Sequence, residues 1–439
     1  MVLLKNFANI VKIPELMKKL FFTLGVIVVY RIGSYIPVVG INVPLLSEYM
    51  QRADTAGGLL GYLDIFSGGA LSQCTLFALG IGPYITASIV MQMLSMTLPS
   101  LELLMKEGEH GKRVINQYTR YLALGLSIAY SLMYATYLEN AGLVLNPGLG
   151  FKMVFMLSLT VGAMFVMWLG EQISLMGLGS GSSMIIFAGI VARFPDHVIK
   201  TINAVQVGNL PGIVAFFVLT VFVVITAWII YLEQGVRKIP VQYARRIIGS
   251  RVYGGQSTYI PFKINTVGVM PVIFASSLLN IPMFIARMLS QKWDIFRIIS
   301  ESLTPTGYLY NIFQFGLIVF FTYFYTALIF NPTELSQQMK KNGGFIPGLR
   351  PGKQTADFFD FILTRIGLVG ALYLGMLSVL PNILLALIPN MPFYLSGTSL
   401  LIVVGVALEF SSQVESYLIE HRYEGFLSSG RMRSRTVSG

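Results

Sequence analysis

The sequence predicts an all-α polytopic membrane protein, with about ten transmembrane helices arranged as two inverted five-helix halves. Three observations predict it. Only 12% of the 439 residues are charged and mean hydropathy is +0.69, whereas a soluble domain carries about a quarter charged residues. Apolar runs of roughly 20 residues, each long enough to cross a bilayer, recur along the chain. Basic residues alternate in density from one connection to the next.

The first element is residues 3–20, LLKNFANIVKIPELMKKL, basic and amphipathic, with Pro14 near a helix start. It is expected to lie as a helix on the anionic cytoplasmic surface. The first apolar run, about 20–38, lacks a small-x-small cleavage site, so no cleavable signal peptide is expected. The other spans fall at roughly 74–96, 118–138, 152–172, 183–204, 212–232, 267–288, 308–330, 365–387 and 397–417. The second is interrupted. Residues 64–96 are apolar over a membrane length but broken near their start by Ser67-Gly68-Gly69. Lipid offers no partner to a free N–H or C=O, so the break predicts a short piece, a turn and a longer helix facing a protein interior.

With the connections numbered alternately, about 23 basic residues fall on one side and about seven on the other. The richer side holds Lys18, Lys19, Arg245, Arg246, Arg251, Arg350 and Lys353; the poorer holds Arg52, Lys152, Arg193 and Lys200. The positive-inside rule then places both termini in the cytoplasm. A weak internal echo accompanies this. Gly181-Ser182-Ser183-Met184-Ile185-Ile186 opens the fifth span and Gly397-Thr398-Ser399-Leu400-Leu401-Ile402 opens the tenth. One starts inside and the other outside, as inverted halves at about 1–205 and 206–439 with a path between them require.

Two cytoplasmic loops carry local signals. In 331–341, Asn331 is an N-cap, Pro332 suits the first helical position and Glu334 completes a capping box, with a stop at Gly343-Gly344. Two Pro-Gly pairs then build a rigid tip around Arg350, and a second helix from about Gln354 leads into the ninth span. In residues 234–264, Ile239, Val241 and Tyr243 alternate and Ile248-Gly249-Ser250 offers a turn, which predicts a basic hairpin.

No Walker motif, His/Cys metal spacing or Ser-His-Asp arrangement is found, so neither an enzyme nor a cofactor is expected. The single cysteine, Cys74, excludes an intrachain disulfide. His110, His197 and His421 are scattered. Few ionisable residues lie deep in the spans, which weighs against a secondary transporter with inverted repeats, the main rival reading. A membrane scaffold that gathers partners on basic loops is the other. Isoleucines near the polar interruptions are candidates for an apolar collar that seals a pore by dewetting: Ile81 and Ile85, Ile186 and Ile190, Ile273, and Ile402. The alternative is that they face lipid or core.

The residues also carry a resemblance. RIGSYIP from Arg31, FSGGALSQCTLFALGIGPYITASI, EGEHGKRVINQYTRY, WLGEQIS with GLGSGSSMIIFAGIVA, QSTYIPFKIN with GVMPVIFASS, NPTELSQQMKKNGGFIPGLRPG, and SGTSLLIVV from Ser396 together resemble the SecY/Sec61-alpha family nearly end to end. Departures are small: Pro37-Val38-Val39-Gly40 stands where Pro-x-Pro-Gly is frequent, and Ser396-Gly397 where Gly-Gly is.

The resemblance implies a protein-conducting channel of the bacterial cytoplasmic membrane, with the two halves around a central pore. Ile65, Phe66, Ser67, Gly68, Gly69, Ala70 and Leu71 correspond to a plug, within about 59–72. Ile81, Ile85, Ile186, Ile190, Ile273 and Ile402 correspond to its pore ring, and Thr86, Gln92 and Asn265 to the lateral gate. The loops with Arg245, Arg246, Arg251, Arg350 and Lys353 correspond to docking sites for the SecA motor or the ribosome. Implied partners are SecE, SecG, polypeptides bearing signal sequences and membrane lipids; pairing as a homodimer stays open.

Overall fold

The computed structural model describes residues 13–42, 45–46, 64, 67–243, 246–248, 251–253, 257–289, 296, 298–299, 302–304, 307–387 and 396–430. Along these residues run helices α1 (Pro14–Gly33), α2 (Gly82–Thr97), α3 (Pro99–Lys106), α4 (Glu109–Asn140), α5 (Leu149–Met176), α6 (Gly181–Gln206) and α7 (Gly212–Glu233). Strands β1 (Val236–Tyr243), β2 (Arg246–Ile248), β3 (Arg251–Tyr253) and β4 (Ser257–Lys263) follow. Then come α8 (Met270–Leu289), α9 (Tyr308–Ile329), α10 (Pro332–Lys341), β5 (Gly344–Phe345), α11 (Lys353–Leu387) and α12 (Gly397–Gly430).

Seven helical stretches are long and apolar enough to cross a membrane among the described residues: α4, α5, α6, α7, α9 continued by α10, α11 and α12. The pair α2–α3, bent by 98°, makes an eighth if it is one broken span. Helices α1 and α8 occupy the first and seventh predicted positions.

Two predicted spans move. The first is α1 at Pro14–Gly33 rather than 20–38, because Pro14 takes an opening position of this one continuous helix. Residues 14–20 are therefore not a separate surface helix; residues 3–12 of that prediction lie outside the described residues. The second span becomes helical only at Gly82, not near 74. Residues 70–81 run as turns and one bridge, with Cys74 at φ 45° and Gly80 at φ 55°. Neither value fits a right-handed helix.

The chain divides into two compact units, Met1–Pro195 with Val406–Gly439, and Asp196–Gly405. In the first, Ala87 of α2, Ala123 of α4 and Met167 of α5 share one buried cluster. Small residues let membrane helices approach closely where no hydrophobic effect drives them together. Arg120 grips Glu171 through two hydrogen bonds of 2.9 and 2.7 Å, joining α4 to α5. Leu16 packs with Leu178 and Val414. Beside it Lys19 Nζ donates to Tyr417 Oη at 2.7 Å and lies 4.4 Å from that ring's centroid.

In the second unit, α9 and α11 share buried amides: Gln314 Nε2 donates to Ser378 Oγ at 2.8 Å and Asn382 Nδ2 to Asn311 Oδ1 at 3.1 Å. The two long loops of this unit are one folded module. β1 pairs antiparallel with β4, Ile239 opposite Ile260, and β5 adds to β1 with Tyr243 opposite Gly344. The sheet order is β4-β1-β5, and β2 pairs separately with β3, Ile248 opposite Arg251. The alternation in β1 buries Ile239 and Val241, whereas Tyr243 is exposed. Both join Phe262, Met339, Ile346, Phe359, Ile362 and Leu363 in one core. α10 begins as expected, Asn331 Oδ1 accepting from Thr333 N at 3.2 Å.

Phe359 is fully buried in that core, its ring 5.9 Å from that of Phe262. Phe359→Ala is expected to cost about 3–5 kcal/mol locally. Limited trypsin digestion should then cut the loops faster at Lys340, Lys341 and Lys353. A wild-type cleavage rate would show that the loops fold independently of this core.

Candidate functional site

The Ser67-Gly68-Gly69 break sits inside the first unit, and its carbonyls are satisfied by side chains. Five consecutive carbonyls each accept such a bond: Ser67 O from Tyr30 Oη (3.2 Å), Gly68 O from Arg31 Nη1 (3.0 Å), Gly69 O from Ser72 Oγ (3.0 Å), Ala70 O from Thr75 Oγ1 (3.2 Å) and Leu71 O from Tyr134 Oη (2.9 Å). Non-helical backbone at membrane depth is stable only when protein supplies such partners. Ser67, Gly68, Gly69, Ala70 and Leu71 are all buried. Ile65 and Phe66, the first two predicted plug residues, lie outside the described residues.

Asp64 organises the same turn. Its carboxylate accepts from Ser72 N at 2.8 Å and from Ser67 Oγ at 3.3 Å, while its carbonyl accepts from Gly69 N at 3.0 Å. It also pairs with the guanidinium of Arg193 on α6. Arg193 Nη2 donates to Ser72 Oγ at 2.8 Å.

Gly68 is where the segment meets α6. Its φ is +66°, and a Cβ there would lie 2.8 Å from Gly189 Cα and 2.9 Å from Arg31 Nη1. Glycine is required for both reasons: the left-handed backbone and the closeness of another main chain. Beyond the turn, Thr75 bridges Pro37, and Val38 N donates to Cys74 O at 3.0 Å. The segment is thereby tied to the chain leaving α1.

The candidate collar is placed as follows. Ile81 is the N-cap of α2 rather than a residue of its helical face, and Ile85 N donates to its carbonyl at 3.1 Å. A Cβ on Gly170 would touch both Ile81 Cδ1 and Ile185 Cδ1, at 3.2 and 3.3 Å, so Ile81 reaches the start of α6. Ile186 and Ile190 stand one turn apart on α6, and Gly189 and Arg193 repeat that spacing on the neighbouring face. All four isoleucines of this unit are buried. Ile273 of α8 and Ile402 of α12 are buried and belong to the second unit.

Among the predicted gate residues, Thr86 is buried and donates to Gly82 O at 3.1 Å. Gln92 is half-buried, and its amide donates to Ser88 Oγ at 3.2 Å. Asn265 precedes α8 in a bend. Its amide donates to both Glu233 carboxylate oxygens, at 3.2 and 2.9 Å, and to Gly268 O at 3.0 Å.

Among the predicted docking residues, Arg350 and Lys353 are exposed at the tip. Thr355 Oγ1 donates to Arg350 O at 2.9 Å and Ser336 Oγ to Gly352 O at 2.7 Å, so the tip's backbone is braced from both flanking helices. Arg246 and Arg251 are strand residues of the β2–β3 hairpin. Arg245 lies outside the described residues.

Tyr30, Asp64, Tyr134 and Arg193 hold the break, yet none is recognisable as doing so from the sequence. The available signal is a glycine and an arginine four apart, Gly189 and Arg193, on an otherwise apolar helix.

A family model described as SecY matches residues 75–411. The chain is 44% identical over 425 residues to the protein translocase subunit SecY of Escherichia coli strain K12, covering 95% of each. It is similar to a solved structure described as a protein conducting channel, with TM-score 0.65 and 20% identity over 91% of this chain and 92% of that one. A second, in which the plug domain of a SecY protein is said to stabilise the closed state and maintain a membrane seal, gives TM-score 0.64 and 19% identity, covering 91% of this chain and 92% of that one.

Proposed function

We propose that this chain, which belongs to the SecY family of protein translocase channel subunits, keeps its polypeptide path shut with a seated plug and an apolar ring, and opens it for an extended chain. The observation that carries the reading is the buried Ser67–Leu71 turn backed onto Gly189 of α6. This is a non-helical stopper held by hydrogen bonds on the helix that carries Ile186 and Ile190.

In this reading Ile81, Ile85, Ile186, Ile190, Ile273 and Ile402 form the ring. An apolar constriction obstructs ions because they must shed water to enter. It makes no sequence-specific bonds, so polypeptides of varied composition slide through. Residues 64–72 are the plug. The span beginning at α2 and the span of α8 form the lateral gate, with Thr86, Gln92 and Asn265 on it, through which membrane segments leave for lipid. A signal helix opens the gate by binding the open state more tightly than the closed one.

Movement of substrate is driven from outside the chain. The exposed Arg350 and Lys353, with Arg245, Arg246 and Arg251, receive the SecA motor or the ribosome. SecE and SecG complete the channel in the bacterial cytoplasmic membrane, with both termini of this chain cytoplasmic.

The test is export into inverted membrane vesicles from cells depleted of the chain. Restoring it is expected to restore motor-dependent protection of a secretory polypeptide from protease. Small-solute uptake that depends on a coupling ion, without polypeptide protection, would favour the transporter reading instead.

A further inference from the structure

We infer that Arg193 of α6 is the positioning residue that latches the plug in its closed seat, through its ion pair with Asp64. The inference rests on the plug reading above and adds the group that holds the plug to one particular helix.

Asp64 and Arg193 are 129 residues apart in sequence, yet their side chains retain only 9% and 18% of their exposure. Asp64 is at the same time the organiser of the turn, accepting from Ser72 N and Ser67 Oγ. Arg193 reaches the turn a second time at Ser72 Oγ, 2.8 Å away. The guanidinium therefore grips both ends of the turn from Asp64 to Ser72. Its carbonyls are held from α1 by Tyr30 and Arg31 and from α4 by Tyr134. Those bonds satisfy backbone. The Asp64 pair alone among these contacts joins two formal charges, and it acts from the helix that bears Ile186 and Ile190.

The chemistry suits a latch better than a permanent brace. Removing one partner of a buried pair leaves the other charge stranded, so the closed seat depends strongly on both. Moving the plug as a unit toward water rehydrates both charges together, which lowers the cost of deliberate release. Gly189 lies one helical turn before Arg193, and Gly68 rests on it. A tilt or shift of α6 that widens the ring therefore displaces the seat and the latch in one movement. Ring opening and plug release become a single step at α6.

The experiment measures resting ion conductance of the full channel, reconstituted with its accessory subunits in planar bilayers. Arg193→Glu is expected to raise it roughly tenfold or more, the size of shift that follows when a few-kcal/mol bias toward one state is lost. Asp64→Asn, which keeps an oxygen acceptor for Ser72 N, combined with Arg193→Gln is expected to leak no more than Arg193→Gln alone, whereas independent losses of packing would add. Arg193→Gln, which keeps a hydrogen-bond donor and loses the charge, is expected to leak at an intermediate level and covers the case in which Arg193→Glu fails to assemble. Each leaky single variant should also export polypeptides with defective signal sequences more readily. Deletion of residues 64–72 separates the two layers of the inference. If that deletion leaks and both single variants stay silent, the latch is wrong and the plug stands. If the deletion itself is silent, the plug reading falls and the latch with it.

Discussion

Replacing Ile85 and Ile402 together with glycine or asparagine is expected to make the resting membrane leak ions. Both side chains are buried, Ile85 at 8% and Ile402 at 0% exposure, and each sits at the opening turns of its helix. An isoleucine ring resists ions because its walls return none of the hydration energy an ion gives up. Asparagine returns part of it, and glycine widens the constriction enough to admit water. Losing about 1.4 kcal/mol of that barrier raises ion entry about tenfold, so the double variant should exceed that. Planar-bilayer conductance of the reconstituted channel checks it. Unchanged conductance in the double variant would remove these residues from the ring.

Arg350→Glu is expected to abolish motor-driven export while membrane assembly stays intact. The tip's backbone is fixed by bonds from Ser336 and Thr355, and the arginine side chain stands exposed on it. Reversing its charge therefore removes little that folds the module. An arginine anchor in a protein interface contributes about 2–4 kcal/mol, so docking should weaken roughly thirtyfold or more. Export in reconstituted vesicles, read beside the amount of chain in the membrane, separates the two effects. Wild-type export at wild-type abundance would contradict a docking role.

Much of this was legible in the sequence because the relevant physics is local. Pro14, Asn331-Pro332 and the Pro-Gly pairs act on the residues beside them, and helix starts and the tip follow. The interruption at Ser67-Gly68-Gly69 was legible because lipid leaves a broken helix no solvent to turn to. The late start of α2 was not, since the positive φ of Cys74 belongs to a residue type that rarely adopts one, held there where its Sγ lies 2.8 Å from Tyr134 Oη. Nor was the shared sheet: β5 has two residues, and its pairing with β1 joins loops about 100 residues apart along the chain. Arg193 read as one more external cation, because nothing near it in sequence points to Asp64.

The central claim is that a polypeptide passes through the isoleucine ring. The most direct measurement places a photo-crosslinking side chain at Ile85, then at Ile190, and stalls a secretory polypeptide midway through export. Both positions are expected to crosslink the stalled chain, and only when motor and energy have been supplied. A stalled, protease-protected polypeptide that crosslinks at neither position would mean that the path runs elsewhere.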